Sequence, residues 1–418
     1  MKNFVLMLVF VWGSSLALGD VLIKDARLVK DNGETGDVRD LHIKDGRIVE
    51  IGVNLKGTEE TVIFDAMERA VTAGLIDSAT TIGLAEVSGL GVSYDGEVSG
   101  DGMAAGFQVA LALNPASTLI PLASNDGITR GIVVPEPGDS NFAGQSASVR
   151  FVQGRNFLQR EDNGLHLYLR ERDRRYAGGS RARALSLAVD ALEEAGRFDR
   201  QREAFDSNEL RPFAIGLDDL ETLLRVRSGA MPLVVHVDRA ADIRNVVDAF
   251  TAFPDLRLIL AGAAEAWKVT ERLLAHDIPV LINGLDNLPQ NFDRLGARLD
   301  QAYLLSSAGV RFALMSGSPY SEFRSLTQAA GVAVANGLAW EQALLAITAV
   351  PAEIWGLEGL GKIDRGAKAD LVIWSGDPLE VSSAPIAVMV DGEWVNLETR
   401  QDRLAKRYLE VLNLETKD

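Results

Sequence analysis

Apolar and polar positions alternate over residues 21–28 and 41–51, the period of a strand with one face in water. Asp45-Gly46 falls between Ile43 and Ile48 and marks a two-residue hairpin. Residues 61–64 add a short strand, so the chain opens with a small antiparallel β unit. From residue 71 the texture changes. Short apolar runs at 131–134, 233–237, 256–260, 280–282 and 312–315 do not alternate, and helical patterns lie among them at 181–194, 240–250 and 325–336. Strands that are apolar on both faces and separated by helices predict a parallel sheet. The stretch 71–361 is long enough to close into a (β/α)8 TIM barrel. A doubly wound sheet is the alternative, but no G-x-G-x-x-G follows an early strand.

Residues 362–392 return to strand texture, and Asp391-Gly392 is a second tight-turn dipeptide. The expected architecture is α/β: a barrel over 71–361 and a small composite β-sandwich built from both ends of the chain, residues 20–70 and 362–398. The apolar stripe of 397–412 predicts an amphipathic helix closing the fold, within a C-terminal helical segment at 399–418. Residues 181–205 read as one long helical insertion. The Gly- and Ser-rich stretch 83–106 follows the first barrel strand directly and is either a loop over the barrel mouth or a floppy excursion without function. The basic run 170–183 reads as a solvated face.

Composition narrows the function. The chain has 418 residues, 47% of them hydrophobic, and a formal net charge of −17. That balance disfavours nucleic acid and anionic lipid as partners. It has no cysteine, which excludes disulfides and thiolate-held metal. Residues 1–19 have the form of a secretory signal. Lys2 begins it, 4–11 are apolar with a weak continuation to Leu18, and Ala17-Leu18-Gly19 supplies small residues before a mature start at Asp20. The alternative, a retained anchor, meets a run of about 15 residues where a bilayer needs about 20. The expected location is across the inner membrane, in a periplasm, with no integral membrane segment after cleavage.

Five segments, in order, resemble the amidohydrolase superfamily, in particular its periplasmic imidazolonepropionase-like branch. They are DGRIVEIG at 45–52, TAGLID at 72–77, LVVHVDRAADI at 233–243, AITAVPAEIWGL at 346–357 and GKIDRGAKADLVIWSGDPL at 361–379. The resemblance implies a TIM barrel and metal-dependent hydrolysis of non-peptide C–N bonds. It also implies metal ligands at the ends of strands one, four, five, six and eight.

At nearly every ligand position the sequence departs from that pattern. Ala79 and Thr81 stand where His-x-His is expected. A bridging carboxylated lysine on strand four is ruled out, since no lysine lies between Lys56 and Lys268. Strand six, at 258–268, has no histidine, and Gly317 takes the place of the strand-eight aspartate. His236 on strand five is the one match, as a ligand or as a strand-end histidine bonded to a carbonyl or to Asp238. Of the other three histidines, His42 belongs to the N-terminal β unit, His166 to a charged loop and His276 to a helix. Asp238 and Arg239 are expected to pair and cap the next helix. Asp77, Glu86, Glu265, Ser316, Ser318 and Arg324 are the remaining polar candidates for the mouth, with Asp77 and Glu86 a conceivable acid/base pair. No nucleophile elbow is present.

Three functions follow. One is a non-catalytic ligand-binding or scaffold protein with a degenerate metal site and no cofactor. The second is a C–N hydrolase using His236 with Asp77, Glu86 or Glu265 and a loosely held zinc. The third is a subunit that completes a homo-oligomer or an intact homologous partner. A small-molecule ligand suits the first two.

Overall fold

The computed structural model describes residues 19–29, 35–86, 93–100, 102–154, 156–207, 213–285, 288–316 and 325–411. Of the expected signal segment 1–19, residues 1–18 lie outside them. Among the described residues no helix is long and apolar enough to cross a membrane.

The chain begins with β1 (Val21–Val29), β2 (Thr35–Lys44), β3 (Arg47–Gly52), β4 (Val62–Asp65) and β5 (Ala70–Ala73). Asp45 and Gly46 turn β2 into β3 with φ of 51° and 74°, the doubly positive geometry that an Asp-Gly turn provides. Barrel strands follow: β6 (Leu75–Thr80), β7 (Ile128–Val133), β8 (Phe142–Arg150), β9 (Leu158–Tyr168), β10 (Leu233–Val237), β11 (Leu258–Gly262), β12 (Val280–Ile282) and β13 (Phe312–Leu314). The chain then returns to the first sheet through β14 (Leu371–Trp374), β15 (Pro385–Val390) and β16 (Glu393–Trp394). Strands from both ends therefore share one eight-stranded sheet, ordered β16-β15-β14-β5-β1-β2-β3 with β4 beside β1. It curls until Ile48 N–H donates to Ala367 O at 3.0 Å and Ala369 N–H to Gly46 O at 2.8 Å. At this closure Gly392, at φ 82°, lies so near Gly46 that a Cβ would stand 2.6 Å from its Cα, so only glycine fits.

The second sheet runs in sequence order from β6 to β13. Its strands are parallel with one exception: β8 runs antiparallel to both β7 and β9. The links 134–141 and 151–157 are too short for a crossover helix, which needs a dozen residues or more. Closure between β13 and β6 depends on a side chain. Asp77 accepts from Ser316 N–H at 3.0 Å and from Ser316 Oγ at 2.5 Å, so the carboxylate bridges the end of β13 to β6. Ala79, Ile132, Val234, Ile259, Leu281, Ala313 and Met315 form an apolar cluster with Trp355, the packed interior expected of such a barrel.

The two sheets are joined by a buried ion cluster. Arg130 on β7 donates to Asp370 through Nε at 2.6 Å and through Nη2 at 2.9 Å, and Nη2 reaches Asp391 at 2.7 Å. Arg150 on β8 meets the same Asp391 at 3.0 Å. Burial alone would favour neutral Arg130, but the two carboxylates raise its pKa above the ordinary range.

Two helical expectations change. The insertion is two helices, Arg181–Arg200 and Arg202–Asp206, broken at Gln201, whose φ is −115°. Phe198 then packs edge-on against Phe205 and Phe213 with centroids 5.4 and 5.6 Å away, which the break permits. The C-terminal helix, Arg400–Val411, does not pack into the fold over 400–408, where the side chains are exposed, Tyr408 to 61%.

Candidate functional site

Inward positions of β9 and β10 meet at the barrel axis. Register pairs His166 with Val234 and Tyr168 with His236. Since side chains alternate along a strand, His166 and Tyr168 from β9 project to the same side as His236 from β10. The ring of Tyr168 stacks on His236 at 3.8 Å between centroids and 5° between planes. His166 lies one layer deeper, 2.9 Å from His236 Nε2 through its own Nδ1, and stacks at 6.4 Å on Trp355. The Arg170 guanidinium covers the outer face of Tyr168 at 4.8 Å. A column of Arg170, Tyr168, His236, His166 and Trp355 thus descends from mouth to core.

This overturns the expected place of His166. It is a buried strand residue, not part of a charged loop, and it is the partner of His236 in place of a carbonyl or Asp238. The alternation Leu165-His166-Leu167-Tyr168 was the available signal, masked by flanking charges at 159–163 and 170–175. His42 is on β2 and bonds Asp20. His276 follows the helix Thr270–Ala275.

Above the column lies a cavity of about 320 Å³. Its walls include Ala79, Thr81, His236 and Asp238 from the expected set, with Arg170, Arg172, Arg294, Glu136, Glu171 and Asn283 added by the fold. Arg170 and Arg172 are therefore not a plain solvated face. Nη2 of Arg170 is buried without a hydrogen-bond partner among the described residues. Burial pushes the His166 pKa down to about 3. Burial first, then His166, Arg170 and Arg172, hold His236 well below its ordinary value. Both rings are neutral at pH 7.

Several expected roles are corrected here. Asp77 is fully buried at the β6–β13 seam, and burial raises its pKa to about 6 against the hydrogen bonds from Ser316 and Ala79. Ser316 is its seam partner. Glu86 accepts from Asn114, Ser117 and Thr118, which ties it to the loop leading to β7 and leaves no acid/base pair with Asp77. Glu265 accepts from Ala240 N–H, Gly296 N–H and Lys268 Nζ. Burial would raise its pKa, but these donors hold it below the ordinary range. It is Glu265, therefore, that caps the helix Ala240–Phe250. Asp238 and Arg239 do not pair: Asp238 faces Arg294 at 3.5 Å and Ala264 N–H at 3.3 Å, while Arg239 bonds Asp242. Gly317, Ser318 and Arg324 lie outside the described residues. The described part of 83–106 packs beside residues 136–139 and lines none of the mouth cavity.

A model described as the amidohydrolase family matches residues 233–395. This match covers less than half of the chain. With the barrel and its composite sheet, it makes the chain similar to the amidohydrolase superfamily. Amidohydrolase tasK of Hapsidospora irregularis is 23% identical over 367 residues, covering 80% of this chain. The chain spans only 37% of that relative's length. Among solved structures, an amidohydrolase from Thermotoga maritima superposes with a TM-score of 0.82 at 24% identity, covering 90% of this chain and 99% of its own. N-isopropylammelide isopropylaminohydrolase from Burkholderia multivorans gives 0.52 at 14% identity, covering 90% and 98%. These likenesses are of fold.

Amidohydrolases use metal, and the donors around His236 among the described residues do not fit one. Metal held by imidazole needs its lone pairs and a carboxylate converging on one point. Here one His236 nitrogen is engaged with His166, Asp238 is engaged with Arg294 and Ala264, and guanidiniums line the same cavity. Among the described residues no three His, Asp or Glu side chains form a group that could hold a metal ion.

Proposed function

We propose that this amidohydrolase-like protein binds a small polar ligand at its barrel mouth, without metal-dependent hydrolysis, outside the cytoplasm. The observation that carries the reading is the 2.9 Å hydrogen bond between His166 and His236. It occupies imidazole nitrogens that a metal would require, in a pocket whose guanidiniums repel cations. Water activation has no other evident agent among the candidates. Asp77 is spent on the seam, Glu86 on a loop and Glu265 on a helix start. The extracytoplasmic part rests on the signal-like residues 1–19.

The Arg170 Nη2 group supplies an unmet donor for the ligand, and a charge-assisted bond to a carboxylate or similar oxygen suits it. A thermal-unfolding screen of small carboxylates and zwitterions tests the reading. Ligands that raise the Tm of the wild type are expected to bind Arg170→Met about tenfold more weakly. Equal binding by the variant, or amide turnover that a chelator abolishes, contradicts it.

A subunit role is a second reading, favoured by the exposed apolar stripe of Leu404 and Tyr408 on the C-terminal helix.

A further inference from the structure

Away from the mouth, a larger cavity of about 660 Å³ lies between the segment 106–112, β8 and the helix Leu217–Arg227. Gln145 of β8 forms part of its wall and is 1% exposed. Its amide orientation is fixed by its neighbours. Nε2 donates to Ala105 O at 3.3 Å and to Thr222 Oγ at 2.9 Å. Thr222 must accept that bond, because its own hydroxyl donates to Asp218 O at 2.9 Å. The Gln145 carbonyl oxygen is left buried with no donor among the described residues. A buried acceptor in that state is destabilising, and a ligand N–H would satisfy it.

Carboxylates outnumber cations on the walls. Asp95, Asp218 and Glu221 contribute carboxylates, Glu221 being paired with Arg202, and the lining cation Arg225 is drawn to Asp162. Neither Asp95 nor Asp218 forms an ion pair among the described residues. Phe107 and the 85%-exposed Leu111 supply an apolar lip. Carboxylates, an unmet buried acceptor and an apolar wall recognise one kind of molecule.

We infer that this second cavity binds a small organic cation, whose ammonium or guanidinium group donates to Gln145 and the carboxylates and whose apolar body rests on Phe107 and Leu111. The site is separate from the mouth and does not depend on how the mouth is used.

Calorimetric titration of the full chain with 2-phenylethylammonium, 2-phenylethanol and 3-phenylpropionate tests it. The cation is expected to bind with a Kd below about 1 mM, and the neutral and anionic probes at least about tenfold more weakly. An Asp95→Asn/Asp218→Asn double variant, altered only at the cavity wall, should lose about tenfold for the cation, and Gln145→Met a similar factor. Arg170→Met at the mouth should bind the cation as the wild type does. Equal affinity for the three probes overturns the inference. So does undiminished binding by the double variant, or no cation binding below about 10 mM.

Discussion

Replacing Asp370 with alanine is expected to cost the folded state about 3–5 kcal/mol, because it leaves a buried guanidinium short of its partner. Arg130 is 2% exposed and donates two bonds to Asp370, at 2.6 and 2.9 Å. Asp391, its other carboxylate, is shared with Arg150 and is 25% exposed in its side chain, so water can replace part of what it does. Asp391→Ala should therefore cost less than Asp370→Ala. The same carboxylate of Asp370 also accepts Asp391 N–H at 2.8 Å, so its loss frees the β15–β16 turn as well. Urea unfolding of the two variants beside the wild type measures the difference. A loss for Asp370→Ala below about 1 kcal/mol, the range of exposed pairs, would show that the cluster does not hold the sheets together.

The second large effect is sensitivity to acid. An unfolded histidine titrates near 6.5, whereas burial pushes His166 down to about 3. A depressed pKa contributes stability that is complete above the unfolded value and lost as pH falls towards the folded one. Between pH 6.5 and 4, His166 alone should remove about 3 kcal/mol, at 1.36 kcal/mol per unit. Asp77 acts with the opposite sign. Its raised pKa of about 6 favours the fold as pH falls through that value, so it offsets part of the loss. The two are separated by a difference measurement. His166→Phe keeps a ring beside Trp355 and removes the titration, so its stability should fall less steeply with acid than that of the wild type. Parallel curves for the two proteins would mean that His166 is not neutral and buried in the native state.

Much of the frame was legible in the sequence because strand period and turn chemistry are local. Asp45-Gly46 and Asp391-Gly392 announced their turns, and the apolar runs at 233–237, 280–282 and 312–315 announced barrel strands. β8 and β9 were not legible. Their sequences, FAGQSASVR and LQREDNGLHLY, carry polar residues that the sheet buries by pairing them antiparallel through short links. That omission hid His166, and with it the partner of His236. Asp77 was legible as a polar residue in a buried strand, but its task was not, since Ser316 is 239 residues away. The cavity arginines were missed for a related reason: Arg170 and Arg172 follow a strand that the pattern did not reveal. The departures from the family's ligand pattern at Ala79, Thr81 and Gly317 could be read directly, because a methyl group, a hydroxyl and a hydrogen are poor donors.

Metal analysis of the purified full chain tests the central claim most directly. Protein treated with chelator, equilibrated with Zn²⁺ and desalted is expected to hold well under about 0.1 equivalent per chain, since the weak donor set gives no structural-site affinity. Retention of about one equivalent, lost in His236→Ala, would contradict the account and restore metal-dependent hydrolysis to this barrel.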